Sequence, residues 1–62
     1  MKFAIFNPRL NMYWKEDGAF RDSWKQARTF LTREDAEQYL NWIQTQYEHR
    51  DLYQHLIVVQ VK

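Results

Sequence analysis

The sequence predicts a small α+β domain, a ββαβ arrangement in which one helix packs on one face of a three-stranded antiparallel sheet. Three features of the chain support this fold class. Two short aromatic-rich segments stand near the N-terminus, a capped segment with helical periodicity occupies the middle, and a β-branched segment closes the chain. A chain of 62 residues has room for one hydrophobic core. Residues 1–62 are therefore predicted to form a single domain.

The composition indicates where the stability of so short a chain comes from. Aromatic residues make up 18% of it, and each can bury about 150–250 Å² of surface. Cys is absent, which excludes disulfides and fits a reducing cytoplasm. No apolar run approaches the length of a membrane span, and the N-terminal residues become polar too soon for a signal peptide. We expect a soluble cytoplasmic protein.

A β-hairpin is predicted at the N-terminus. Residues 2–6 are rich in aromatic and β-branched side chains and predict the first strand. Asn7 and Pro8 end it, because Pro lacks a backbone donor and Asn favours a turn. The second strand is predicted over residues 12–14, and the five-residue connection makes a hairpin the simplest interpretation.

The stretch after the hairpin is predicted to consist of turns. Asp17 and Gly18 indicate a second turn, in an irregular stretch that ends near residue 21. Ser23 then precedes residues 24–28, which predict one short helical turn with a polar cap.

The main helix is predicted over residues 33–49. Thr32 is expected to cap its N-terminus, and Glu34 and Asp35 lie where the helix dipole favours anions. At about 100° per residue, one apolar stripe faces the sheet. That stripe comprises Ala36, Leu40, Ile43 and Tyr47, with Tyr39 at its margin. Trp42 falls about 120° from the centre of the stripe and is surplus to the core.

The last strand is predicted over residues 56–61, with Ile57, Val59 and Val61 on one face. We expect the first strand to be central, with its hairpin partner and the last strand beside it. The helix covers one face of this sheet, and nothing in the sequence covers the other. The residues expected on that open face are Ala4, Phe6, Met12, Trp14, Leu56 and Val58.

The chain contains few side chains that could act as nucleophile, general base or metal ligand, and we do not expect an enzyme. Ser23 is the only serine, and its position before a helical turn is explained by capping. A phosphate loop is excluded because the chain has a single Gly. His49, Asp51 and His55, with Glu48, do not match the usual zinc spacing. No metal ion, cofactor or catalytic residue is therefore predicted.

Nucleic-acid binding is an alternative function carried by residues 9–28, where basic and aromatic residues alternate. The basic residues of this segment are Arg9, Lys15, Arg21, Lys25 and Arg28. Five basic against three acidic residues leave a net charge of +2, whereas residues 33–51 carry −3 (two basic against five acidic). The three acids, and the expectation that Trp24 belongs to the core, weigh against this function.

A protein partner is the favoured alternative, because an exposed Trp is typical of interface hot spots. The competing interpretation folds Trp42 back over the helix edge onto neighbouring aromatic rings. The residues predicted to bind a partner, on the helix edge or on the open sheet face, are Met12, Trp14, Asn41, Trp42, Thr45 and Gln46. A homo-oligomer that buries the open sheet face is a further alternative.

One pattern resembles that of small phage and prophage accessory proteins, in which a strand pair leads to a short turn, a capped helix and a closing strand. The residues that carry it are Trp24, Ala27, Phe30, Thr32, Ala36, Tyr39 and Leu40. The resemblance covers roughly residues 3–61 and implies a non-enzymatic inhibitor or modulator of a host protein in the host cytoplasm. Anti-CRISPR and other anti-defence inhibitors are of this size and simplicity. No functional residues are implied by it.

Overall fold

The computed structural model describes all 62 residues, as one helix packed against a five-stranded antiparallel sheet. The strands are β1 (Phe3–Asn7), β2 (Met12–Glu16), β3 (Ala19–Arg21), β4 (Thr29–Phe30) and β5 (Ile57–Gln60). The helix is α1 (Arg33–Gln46), and 3-10 segments span Trp24–Gln26 and Asp51–His55. The α+β class and the single main helix are confirmed. The three-stranded sheet is wrong, because two further short strands join it.

The central strand is β1, as predicted, and it pairs along both edges. On one edge β5 runs antiparallel to it, with Ile5 opposite Val58. On the other edge β4 pairs with its first half, and β2 pairs with its second half, with Asn7 opposite Met12. Two strands thus share one edge of β1, and the sheet is curled rather than flat.

The two strands absent from the prediction are only three and two residues long. Gly18 has φ +79°, a left-handed conformation that lets the chain reverse tightly after β2. The residues that follow then pair back as β3, which places Phe20 opposite Trp14. β4 forms because the first half of β1 offers an unpaired edge beyond the end of β2. The formation of β4 therefore depends on a tertiary contact that the local sequence does not indicate.

The start of α1 agrees with the sequence, and its end does not. Thr32 Oγ1 accepts a hydrogen bond from the Asp35 backbone at 3.1 Å, which confirms the cap. The helix ends at Gln46, three residues before the predicted end, and Tyr47 is its C-cap. The chain must turn there, because the following 3-10 segment carries Tyr53 into the core.

The core lies between α1 and one face of the sheet, and it corrects the predicted sheet faces. Its buried cluster comprises Ile5, Trp14, Ile43, Tyr53 and Leu56, with Val58 packed against them. Met12, Trp14, Leu56 and Val58 were expected on the open face, and that placement is wrong. The cause is register: Asn7 lies opposite Met12, so Trp14 falls on the face of Ile5. By the same alternation Ile57, 47% exposed, points away from the helix.

Tyr53 joins the C-terminal half of the chain to the turn between β2 and β3. Its ring meets Trp14 edge to face, with ring centroids 5.0 Å apart. Its hydroxyl donates to the Asp17 carboxylate and accepts from the Gly18 backbone at 3.0 Å. Burial, together with the hydrogen bond to Asp17, raises the pKa of Tyr53 above its ordinary value of 10.0. The turn is therefore anchored to the core by one hydroxyl group.

Replacing this hydroxyl tests the anchor. Tyr53→Phe should lower the free energy of unfolding by about 1–2 kcal/mol, because a partly buried hydrogen bond to a carboxylate is lost and Gly18 N–H loses its protein acceptor. Because the pKa of Tyr53 is raised in the folded state, the unfolded chain ionises first, and wild type loses stability above about pH 10. The difference between the two proteins should therefore narrow above that pH.

Urea denaturation at neutral and alkaline pH measures both effects. Tyr47→Phe is the matched control, since the Tyr47 hydroxyl makes no hydrogen bond and its ring also contacts Tyr53. Equal stability of Tyr53→Phe and wild type at neutral pH would contradict the anchoring role.

Candidate functional site

The face of the sheet opposite the helix carries the larger of two surface depressions in the molecule. Its volume is about 320 Å³, and it is open to solvent. It is lined by residues from four parts of the chain, namely β1, β2, the first 3-10 segment and the C-terminal strand region. These residues are Phe6, Tyr13, Trp24, Val59, Gln60 and Val61. Of the residues predicted for the open face, Phe6 lines this depression and Ala4 is fully buried.

Three aromatic residues are among those that line this depression, which we call the sheet-face groove. The rings of Phe6 and Tyr13, on neighbouring strands, have centroids 5.1 Å apart. Trp24 lies on this side of the sheet and not in the core, which corrects the expectation from sequence. The Lys2 and Lys25 ammonium groups lie 5.9 and 6.0 Å from the Trp24 ring centroid. An aromatic surface is thus bordered by positive charge.

Further cations flank the groove because of strand alternation. Arg21 on β3 lies directly opposite Tyr13 on β2, so the two share a face. The Arg21 guanidinium donates to the Phe20 carbonyl at 2.9 Å, which restrains the side chain at the sheet edge. Lys15, two residues after Tyr13, lies at the end of β2, where the pairing with β3 becomes irregular.

One acid of residues 9–28 is held away from this face. Asp17, one of the three acids of residues 9–28, is bound by the Tyr53 hydroxyl and has Arg50 Nε at 3.9 Å. Tyr53 belongs to the core on the helix side, so the Asp17 carboxylate is drawn to that side. The acids at the start of α1, exposed on the far side of the sheet, are Glu34, Asp35 and Glu37. Cations therefore border the sheet-face groove, Glu16 is placed on the same face by its pairing with Ala19, and the first turn of α1 is acidic.

A second depression of about 270 Å³ lies beside the first 3-10 segment, and we call it the polar depression. Its lining residues are Lys15, Glu16, Gln26, Ala27 and Arg28. The five basic residues predicted for nucleic acid are thereby divided. Arg21 and Lys25 border the sheet-face groove, and Lys15 and Arg28 line the polar depression. Arg9 is exposed in the turn between β1 and β2.

The partner-binding residues predicted from sequence do not form one surface. Trp42 is 50% exposed on the helix, where its ring lies beside Tyr39 and Tyr47, with centroids 5.7 and 6.2 Å away. Around it Asn41, Thr45 and Gln46 are exposed. Trp14 is only 1% exposed and cannot touch a partner, and Met12 is half-buried in β2. Trp42 therefore contacts neighbouring rings and still presents half its surface to solvent.

The residues considered for chemistry have local roles. Ser23 Oγ accepts from the Lys25 backbone at 3.2 Å, as expected of a cap. His55 lies 3.9 Å from Asp51, one turn away along the chain. No group of three or more His, Asp or Glu side chains is placed to hold a metal ion. No helix has the length and hydropathy to span a membrane.

Sequence reasoning did not assign Lys2, Glu16 or Val59 to a site. Lys2 could have been found, because strand alternation puts it on the same face as Ala4 and Phe6. The placement of Val59 follows only from the register of β5 against β1. The placement of Glu16 depends on an irregularity in the pairing of β2 with β3, which no local feature of the sequence predicts.

Comparison of the chain with known protein families, with curated proteins and with solved structures gave no match. The resemblance to small phage accessory proteins stays a prediction.

Proposed function

We propose that this protein is a non-catalytic binding module that holds single-stranded nucleic acid on the sheet face opposite its helix. The observation that supports this most is the placement of Phe6, Tyr13 and Trp24 on one open face with Lys2 and Lys25 at its border. Aromatic rings stack on unpaired bases, and the flanking cations contact the phosphates.

Single strands suit this surface better than duplexes. The sheet-face groove is shallow, and its rings are reached only by bases that are unstacked and turned toward the protein. Insertion of α1 into a major groove is disfavoured, because its exposed N-terminal turn carries Glu34 and Asp35. Two features of the sequence argued against nucleic-acid binding: the acids of residues 9–28 and the expectation that Trp24 belongs to the core. In the structure Trp24 is outside the core, and Asp17, one of the three acids, is turned away from this face.

Removing one ring tests the stacking surface. Tyr13→Ala should weaken binding of an oligothymidylate of about twelve nucleotides by roughly 5- to 100-fold, because stacking contributes about 1–3 kcal/mol per base. Fluorescence anisotropy with a labelled oligonucleotide measures the affinity. Trp42→Ala is the control, since it removes an exposed ring from the opposite side of the molecule.

Salt dependence gives the second readout of the same experiment. If Lys2, Lys25 and Arg21 contact phosphates, wild-type affinity should fall about 20-fold between about 50 and 200 mM salt. An affinity that is indifferent to salt, or that Tyr13→Ala and Trp42→Ala reduce equally, would contradict binding on the sheet face.

A second candidate function is supported by the exposed Trp42. Its ring stands beside Tyr39 among uncharged neighbours, the arrangement of an aromatic anchor with a polar rim. On this proposal the protein binds and inhibits or retunes a host protein in the bacterial cytoplasm. A phage-encoded inhibitor of a defence complex is the particular form that the sequence resemblance implies.

Affinity capture from bacterial lysate tests this second function. Trp42→Ala should leave folding intact and cost more than about 2 kcal/mol of binding to the captured protein. Gln38→Ala is the control, because Gln38 is exposed one turn earlier on the same helix. This candidate requires that wild type and Tyr13→Ala both capture the same single protein. Nuclease treatment should leave that capture unchanged, and Trp42→Ala should abolish it. Capture that vanishes with nuclease, or that Trp42→Ala leaves unchanged, would overturn this candidate.

A further inference from the structure

The polar depression is created by an irregularity in β2. In a regular strand the side chains of Lys15 and Glu16 would point to opposite faces. The pairing of β2 with β3 shifts register between Trp14 and Glu16, and both Lys15 and Glu16 line the polar depression. Bulges of this kind redirect a side chain and are frequent next to functional sites. The local structure thus brings two consecutive residues of opposite charge, Lys15 and Glu16, to the same depression.

The first 3-10 segment connects the polar depression to the sheet-face groove. Trp24, at the start of that segment, lines the groove, and Gln26, at its end, lines the polar depression. Lys15, which lines the polar depression, also follows Tyr13 by two residues on β2. The two depressions are therefore neighbours along β2 and along the first 3-10 segment.

The groups in the polar depression are free to bind. Lys15, Glu16 and Gln26 make no side-chain hydrogen bond and no ion pair within the protein. Arg28 is engaged, with its guanidinium carbon 5.0 Å from the centre of the Tyr39 ring. The depression thus offers unpaired donors, from Lys15 and Gln26, and an unpaired acceptor pair, from the Glu16 carboxylate.

We propose that the polar depression reads a guanine base of the bound strand, an inference that rests on the proposed function. Guanine presents two adjacent donors, N1–H and the N2 amino group, and both oxygens of the Glu16 carboxylate can accept from them. Its O6 accepts from the Lys15 ammonium or the Gln26 amide. Among the common bases only guanine offers two adjacent donors on this edge, and thymine and uracil offer acceptors that the carboxylate repels.

The volume and charge of the polar depression agree with this ligand. At about 270 Å³ it is below the range of pockets for drug-sized molecules, as suits a single base. A phosphate in this position would meet the Glu16 carboxylate. The phosphates are therefore assigned to the border cations of the sheet-face groove, and a neutral base edge to the polar depression.

The experiment compares oligothymidylates of about twelve nucleotides that differ at one internal position, which holds thymine, adenine, guanine or hypoxanthine. Wild type should bind the guanine oligonucleotide about tenfold more tightly than the thymine one, the usual effect of a bidentate base contact. Hypoxanthine lacks the N2 amino group and should give an intermediate affinity. Glu16→Gln should abolish the preference for guanine and leave the affinity for oligothymidylate unchanged or slightly higher.

Glu48→Gln is the matched control, because it removes the same charge from the exposed helix side. It should keep the preference for guanine. Equal affinities for all four oligonucleotides, or a preference that survives Glu16→Gln, would overturn the guanine subsite while the proposed function stands. Failure of every oligonucleotide to bind would overturn the proposed function, and this inference with it.

Discussion

The contact on which the rest of this structure depends is the one between Tyr53 and the turn that joins β2 to β3. The Tyr53 ring closes the core against Trp14, and its hydroxyl binds Asp17 and the Gly18 amide. A domain this small buries too little surface to hold its loops by packing alone. One side chain therefore performs two tasks, because it completes the core and fixes the end of a hairpin.

The same contact has an electrostatic consequence. By binding Asp17 on the helix side, Tyr53 removes a carboxylate from the segment that borders the sheet-face groove. Lys2, Arg21 and Lys25 then lie around the half-buried rings of the groove, with Glu16 as an acid on the same face, and the acids of α1 lie on the far side of the sheet. A net charge of +1 conceals this separation, which is what makes nucleic acid a reasonable ligand.

Local signals in the sequence were sufficient for the fold class, the central first strand, the Thr32 cap and the position of Trp42 off the buried stripe. They failed where pairing register decides the outcome. The expected placement of Trp14 on the open face was wrong because a shift of one residue exchanges the faces of a strand. The positions of the sheet-face groove and the polar depression depend on strand register, including the irregular pairing next to Glu16.

Residue-by-residue mapping of the bound surface tests the central claim most directly. Backbone amide chemical shifts should be recorded during titration with an oligothymidylate of about twelve nucleotides. The account predicts the largest shifts at Phe6, Tyr13, Trp24 and Val59, with the helix residues around Trp42 unchanged. Shifts centred on Trp42, or none at concentrations near 1 mM, would contradict a nucleic-acid interface on the sheet face, since even non-specific binders reach a Kd of about 0.1 mM or below.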